Sequence, residues 1–331
     1  MGIFDEFGKV WVASSPLTDN FPSIKKAIDA GADTIVLKSV TSIAKDTKPK
    51  GQSMVLLHTA VDALTNKDTF APFYIHSSSS DLDCEMITVK YSNELYEEIK
   101  KYSPSTKVIA NLAPLNAKDF KLAFKLKGDA IEVSPRWFDM NLQRPLYIIT
   151  TPDPEFDINA KSDPYWKQFA DISKVIDKVM VESETYKKKN IEKEWVFREG
   201  MQNIFGHRPA LIKISRQYLE IAAPNYEKMV CDGITFSDSM KGSSSTTLAG
   251  VTVQIFNQNS ISGSPLTELT LAKMKYFQKY HPEIYASASG GILTPNTAKA
   301  AIEYGAGSVQ LCSAIYFNGY KIIKEMAKAV N

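Results

Sequence analysis

The chain contains no run of eighteen or more apolar residues, so the sequence carries no membrane-spanning helix. It is also short of cysteine: Cys84, Cys231 and Cys312 are three in 331 residues, far apart and odd in number. That scatter excludes a disulfide framework and points to a reduced, cytoplasmic setting. Four histidines (His58, His76, His207 and His281) show no ligand spacing with the cysteines, so no metal site is read. Neither sign of charge dominates. Lys and Arg number 39 against 37 Asp and Glu, a net charge of +2, and the basic stripe that a nucleic-acid partner requires is missing. The first residues carry acids and no apolar core, and no secretory signal is read there.

What the chain does have is apolar material: 44% hydrophobic and 11% aromatic residues exclude disorder and suffice for a large core without staples. Short β-branched runs alternate with longer amphipathic stretches. The runs lie at 10–14, 34–38, 107–111, 130–134, 210–215, 233–237, 284–289 and 308–313, and read as buried parallel strands without an internal polar period. Helices are predicted at 22–30, 93–102, 117–127, 173–205, 217–230, 267–280, 295–304 and 319–330; Thr294 and Pro295 form a cap-and-proline start for the seventh. Eight such units predict an α/β chain folded as a single (β/α)8 TIM barrel over residues 1–331.

Three insertions break the rhythm, at about 42–92, 135–172 and 238–264. The first holds apolar runs at 54–57, 73–76 and 86–90, which suggest a small hairpin layer. The second is rich in Pro, Asp and Tyr, the third in Ser and Gly. All three leave the C-terminal ends of strands, where barrels build their active sites.

Chemistry gathers at the same ends. Gly290 and Gly291 close one strand before a capped helix, and Cys312 and Ser313 close the next, a pairing that lets backbone N–H groups approach a phosphate. The plain alternative is a tight turn. Lys38 and Lys213 sit inside apolar strands, where an unpaired ammonium is costly. A flavin would use both cations, one of them at the N1–C2 edge of the ring; a salt bridge to a barrel carboxylate such as Glu132, or a Schiff-base role, would also account for them.

These residues resemble a family. ASSPLT (13–18), AGADTIVLKSVT (30–41), KVIANLA (107–113), LIKIS (211–215), SISGSPLTELTLAKM (260–274) and the long stretch 287–319 are similar, in order, to the class 1 dihydroorotate dehydrogenases, which are FMN-containing barrels. The resemblance implies FMN contacts from Ser14, Lys38, Ser39, Asn111, Lys213, Ser237, Gly263, Gly290, Gly291, Cys312 and Ser313. It also leaves room for a homodimer and for an electron-transfer partner, an iron–sulfur subunit in one branch of the family.

The substrate side departs from the family. Where members carry an Asn-x-Ser-Cys/Ser-Pro-Asn run with the catalytic base, this chain has IEVSPRWF (131–138). With two residues deleted, Ser134 replaces the base; without the deletion, Ser134 replaces the first Asn and Trp137 the base. Ser134 and His76 both stand as candidate bases, with Lys38 as a catalytic cation. The substrate loop becomes IHSSSSDLD (75–83) with His76 and Ser77, and the amide pair after the sixth strand becomes Asp238 and Ser239. A carboxylate for an amide beside an anionic substrate costs on the order of 1–4 kcal/mol. The small-molecule substrate is therefore expected to be a neutral or cationic polar molecule, or a different heterocycle, rather than dihydroorotate. His76 as a satisfied buried histidine, and residues 77–80 as a plain loop, are the simpler readings. Two other functions stay open: a non-redox enzyme on a phosphorylated substrate using a Schiff-base lysine, and a non-catalytic flavin binder.

Overall fold

A computed structural model describes residues 2–42, 54–57, 73–76, 86–114, 117–134, 205–214, 231–236, 240–248 and 251–331. Twelve strands lie among these residues. Eight form a closed parallel barrel: β1 (Val10–Val12), β2 (Thr34–Val36), β5 (Lys107–Leu112), β6 (Ala130–Val133), β7 (Ala210–Ile214), β8 (Gly233–Phe236), β11 (Tyr285–Ser289) and β12 (Ser308–Leu311). They follow one another in chain order, and β1 closes the ring by pairing with both β2 and β12. The chain is a (β/α)8 TIM barrel, with strands where the apolar runs placed them.

Alternate residues on these strands belong to two separate apolar clusters, because side chains along a strand alternate between faces. Val10, Ile35, Val108, Ile131, Ile212 and Val309 belong to the cluster that also takes in Ile24, Leu95, Met274, Ala298 and Met326 from the surrounding helices. Trp11, Val36, Ile109, Ala130 and Leu211, one residue out of phase, form the second cluster inside the barrel with Phe4 and Phe7. These two rings plug the N-terminal end, tied there by Thr34 Oγ1 donating to the Phe7 carbonyl at 2.5 Å. The interior is therefore dry at one end. Its next layers are polar: Tyr285 donates to Ser308 Oγ at 2.8 Å and Ser308 to Ser287 Oγ at 2.8 Å.

One acid-based device recurs at the N-terminal rim. Asp33, Asp129 and Asp232 each stand just before a strand, and their carboxylates accept from the first amides of the preceding strand, at Val10 (2.9 Å), Val108 (2.8 Å) and Ala210 (2.9 Å). Arg208 works at the same end. Its guanidinium donates to the carbonyls of Phe205, Ala123 and Leu126 at 2.8, 2.9 and 2.7 Å, capping the 3-10 helix Ala117–Lys125. Arg208→Ala is expected to lose about 2–4 kcal/mol, since three carbonyls lose a charged donor; urea unfolding midpoints of the two proteins check it.

The described helices are α1 (Phe21–Asp29), α2 (Val89–Tyr102), α3 (Thr267–Tyr280), α4 (Pro295–Glu303), α5 (Ser313–Asn318) and α6 (Lys321–Val330). Three differ from the sequence expectation. The helix predicted at 93–102 begins at Val89, because Thr88 caps it by accepting from the Tyr91 amide. The stretch 117–127 is 3-10 rather than α, ending at Lys125. The helix predicted at 319–330 begins at Lys321, and an unpredicted short helix, α5, precedes it and ends at Gly319 with φ 71°. The helices predicted at 173–205 and 217–230 lie outside the described residues, apart from Phe205.

The other four strands, β3 (Met54–Leu57), β4 (Phe73–His76), β9 (Met240–Leu248) and β10 (Val251–Gly263), make an antiparallel sheet in the order β3-β4-β10-β9. The expected hairpin of the first insertion is thus present. The third insertion, read as rich in Ser and Gly, is itself a long hairpin, and Val251, Val253 and Ile255 supply the alternation that makes it one. Its strand β10 pairs with β4, so two insertions remote in sequence share one sheet.

Candidate active site

Among the described residues, the upper half of the barrel interior carries a buried charged cluster centred on Glu132. From β6, its fully buried carboxylate accepts from Asn111 Nδ2 (β5) at 2.6 Å, Thr235 Oγ1 (β8) at 2.6 Å and Gln310 Nε2 (β12) at 3.1 Å. Lys213 (β7) forms an ion pair with it at 3.7 Å. Ser134, one turn of the pleat further along β6, accepts from Asn111 Nδ2 at 2.8 Å and lies 3.5 Å from the same carboxylate. Burying a carboxylate without partners would cost several kcal/mol, and here four strands supply the donors.

The carboxylate also fixes the orientation of both amides. A carboxylate takes only donors, so Asn111 and Gln310 must present their NH2 groups to it. Their oxygens, Asn111 Oδ1 and Gln310 Oε1, are then left buried with no hydrogen-bond partner among the described residues. Buried acceptors are nearly always satisfied, so two orphans flanking one charged cluster ask for a donor from a bound molecule.

The remaining predicted residues line the same C-terminal rim. Ser14, just past β1, and Ser39, just past β2, are 3.2 Å apart through their hydroxyls. Between them in the fold, Lys38 is buried at 3% exposure and its amide donates to the Thr18 carbonyl. Lys38 lies in the field of Asp19, whose carboxyl is pushed up by burial and pulled back by its hydrogen bond from Asn20 and the Lys38 charge. Each buried lysine of the rim therefore has a buried carboxylate close by. Cys312 follows β12, next to the end of β1, where the Ala13 amide donates to the Leu311 carbonyl. Ser313 opens α5, whose start has no side-chain cap at Cys312.

The glycine pair after β11 is pinned from outside. Thr270 Oγ1 donates to the Gly290 carbonyl at 2.7 Å and Thr267 Oγ1 to the Gly291 carbonyl at 2.6 Å. A trans peptide sets its N–H opposite its C=O, so the amides of Gly291 and Ile292 turn away from α3. Both glycines have positive φ, 84° and 77°. Gly263, with φ 106°, ends β10 opposite Phe73 and leads into α3.

Ser14, Lys38, Ser39, Asn111, Ser134, Lys213, Gly290, Gly291, Cys312 and Ser313 thus share one end of the barrel. His76 does not sit on a barrel strand: it ends β4 in the antiparallel sheet, in register with Met54 and Ser260. Ser77, Ser237, Asp238 and Ser239 lie outside the described residues. The sequence reading named Glu132 only as a salt-bridge partner and passed over Thr235 and Gln310. A two-residue offset was the available signal, since Glu132 precedes Ser134, and Gln310 precedes Cys312, by one strand repeat. The strands do carry a polar period, contrary to the sequence reading, and it faces inward.

No protein-family model matches the chain. A curated protein matches in part: over 68 residues the chain is 32% identical to dihydroorotate dehydrogenase (quinone) of Dichelobacter nodosus (strain VCS1703A). The chain is similar, over one segment, to a dehydrogenase. That segment covers 20% of this chain and 20% of the relative's length. Among the described residues no helix is long and apolar enough to cross a membrane, and no group of His, Cys, Asp and Glu could hold a metal ion.

Proposed function

We propose that the protein is an FMN-dependent oxidoreductase of the dihydroorotate dehydrogenase kind, acting on a dihydropyrimidine-like or other small polar heterocycle. The observation that carries this reading is the Glu132 cluster. It sets two orphaned carboxamide oxygens and a buried lysine at the mouth of a barrel whose opposite end is plugged. A flat ring edge with N–H and C=O groups in alternation fits acceptors and a cation in that mixture. The partial likeness to a named dehydrogenase supports the same reading.

In this reading Ser14, Lys38, Ser39, Asn111 and Lys213 would hold the ring system, and Gly290, Gly291, Cys312 and Ser313 would hold the phosphate through backbone amides and the Ser313 hydroxyl. Ser237 and Gly263 are carried as further contacts. When bound, FMN supplies hydride acceptance at N5 and a reduced ring whose negative charge a nearby cation stabilises. The chain's own residues do the rest. Lys38 and Lys213 bring the positive charge, and the plugged barrel floor excludes water from below. Ser134 is the proton-accepting group we favour, its own hydroxyl proton passing to the Glu132 carboxylate beside it as it takes the substrate's; His76 is the second candidate.

The test is anaerobic: FMN-loaded protein is mixed with a panel of dihydropyrimidines and related heterocycles, and flavin bleaching is followed. At least one is expected to reduce the flavin, and Ser134→Ala to slow that reduction by about 100-fold or more, the usual worth of a positioned proton acceptor. A flavin that no member of the panel reduces would leave a non-catalytic binder in its place.

A further inference from the structure

Glu132 is fully buried, and in that scheme it meets neither substrate nor flavin, bearing on proton transfer only through the Ser134 hydroxyl. Its carboxylate nonetheless gathers side chains from four other strands. A plain structural anchor would need none of this, since well-packed apolar side chains stabilise as well as a buried ion pair or better. The charge must do something that leucine could not.

We infer that Glu132 is a positioning residue that sets the electron affinity of the bound flavin, by neutralising part of the Lys213 charge and fixing the Asn111 and Gln310 amides oxygen-outward. This rests on the flavin reading. The argument is electrostatic. A cation at the ring favours the reduced, anionic flavin; a carboxylate 3.7 Å from that cation weakens the effect by opposing its field. The hydrogen bonds from Thr235 and Gln310 soften the carboxylate in turn, so the site holds a graded balance rather than a bare charge.

Glu132→Gln is nearly isosteric. Its amide oxygen can keep the bond from Asn111, its NH2 can donate to Thr235 Oγ1, and Gln310 can turn its orphaned oxygen toward the new NH2. The protein as purified with FMN is equilibrated with a reference dye under anaerobic reduction, and both spectra are read. E132Q is expected to favour reduced flavin by about tenfold, ~30 mV for a two-electron couple. Glu132→Asp, which keeps the charge, is expected to stay within about threefold of wild type, and Thr235→Val, which strips a donor from the carboxylate, to move about two- to threefold the other way. A merely structural role would change unfolding midpoints and leave these equilibria alone.

An unchanged equilibrium in E132Q at wild-type flavin occupancy overturns the inference while the flavin reading stands. Wild-type protein that binds no FMN overturns both. Should E132Q fail to fold, Thr235→Val decides: a shift toward oxidised flavin upholds the inference and no shift overturns it.

Discussion

Gly291→Ala is expected to cost about 2–5 kcal/mol of folding stability, a large part of what a typical domain has. Two terms add. At φ 77° an alanine meets its own backbone, worth about 1–2 kcal/mol. Its β-carbon would also fall 2.6 Å from the Leu266 carbonyl carbon and closer still to the Thr267 amide nitrogen, so α3 must move. Gly319→Ala separates the terms, because Gly319 has φ 71° but nothing within 4 Å of a β-carbon. That variant should lose only the first, about 1–2 kcal/mol. Urea unfolding of both proteins checks the difference. Equal losses would mean that the packing of the glycine turn on α3 contributes nothing.

The second large effect concerns the Glu132–Lys213 pair. Lys213→Met leaves a buried carboxylate without its cation and is expected to destabilise by about 3–5 kcal/mol, toward the lower figure because three hydrogen bonds still serve the carboxylate. Adding Glu132→Leu to that variant should recover stability rather than lose more, since a buried pair replaced whole by apolar side chains is often neutral. The coupling from a double-mutant cycle should reach about 1–3 kcal/mol. Independent, additive losses would mean that the two groups do not act as a pair.

The barrel was legible because its strands are bounded runs of β-branched residues that need no partner to be recognised. All eight stand where their runs do, from Val10–Val12 to Ser308–Leu311. The rim residues followed, because a strand's last residues are known once the strand is. What escaped was relational. The sequence offers the Lys213–Glu132 salt bridge but not the cluster around it: Glu132, Thr235 and Gln310 stand on strands whose distance in sequence reaches 178 residues, and Thr235 and Gln310 each look like an ordinary polar residue in an apolar run. The inward period, Val36 then Lys38, Ile109 then Asn111, Leu211 then Lys213, shows only once the barrel tells which face is inside. The four-stranded sheet escaped for the same reason: β4 and β10 pair His76 with Ser260, and neither segment carries a signal for the other. The 3-10 turn over Ala117–Lys125 has a helical pattern, and its carbonyls are held by Arg208, a tertiary contact.

The binding of FMN itself is the most direct test. Protein stripped of any ligand is titrated into FMN and the flavin fluorescence is followed, with Lys213→Met beside it. The expected result is saturable quenching at a single flavin per chain, weakened about tenfold or more in the variant, the equivalent of ~1.4 kcal/mol from one lost cation. Flavin fluorescence that stays flat across the titration, from a wild-type chain that unfolds cooperatively and is therefore native, would contradict the account at its root.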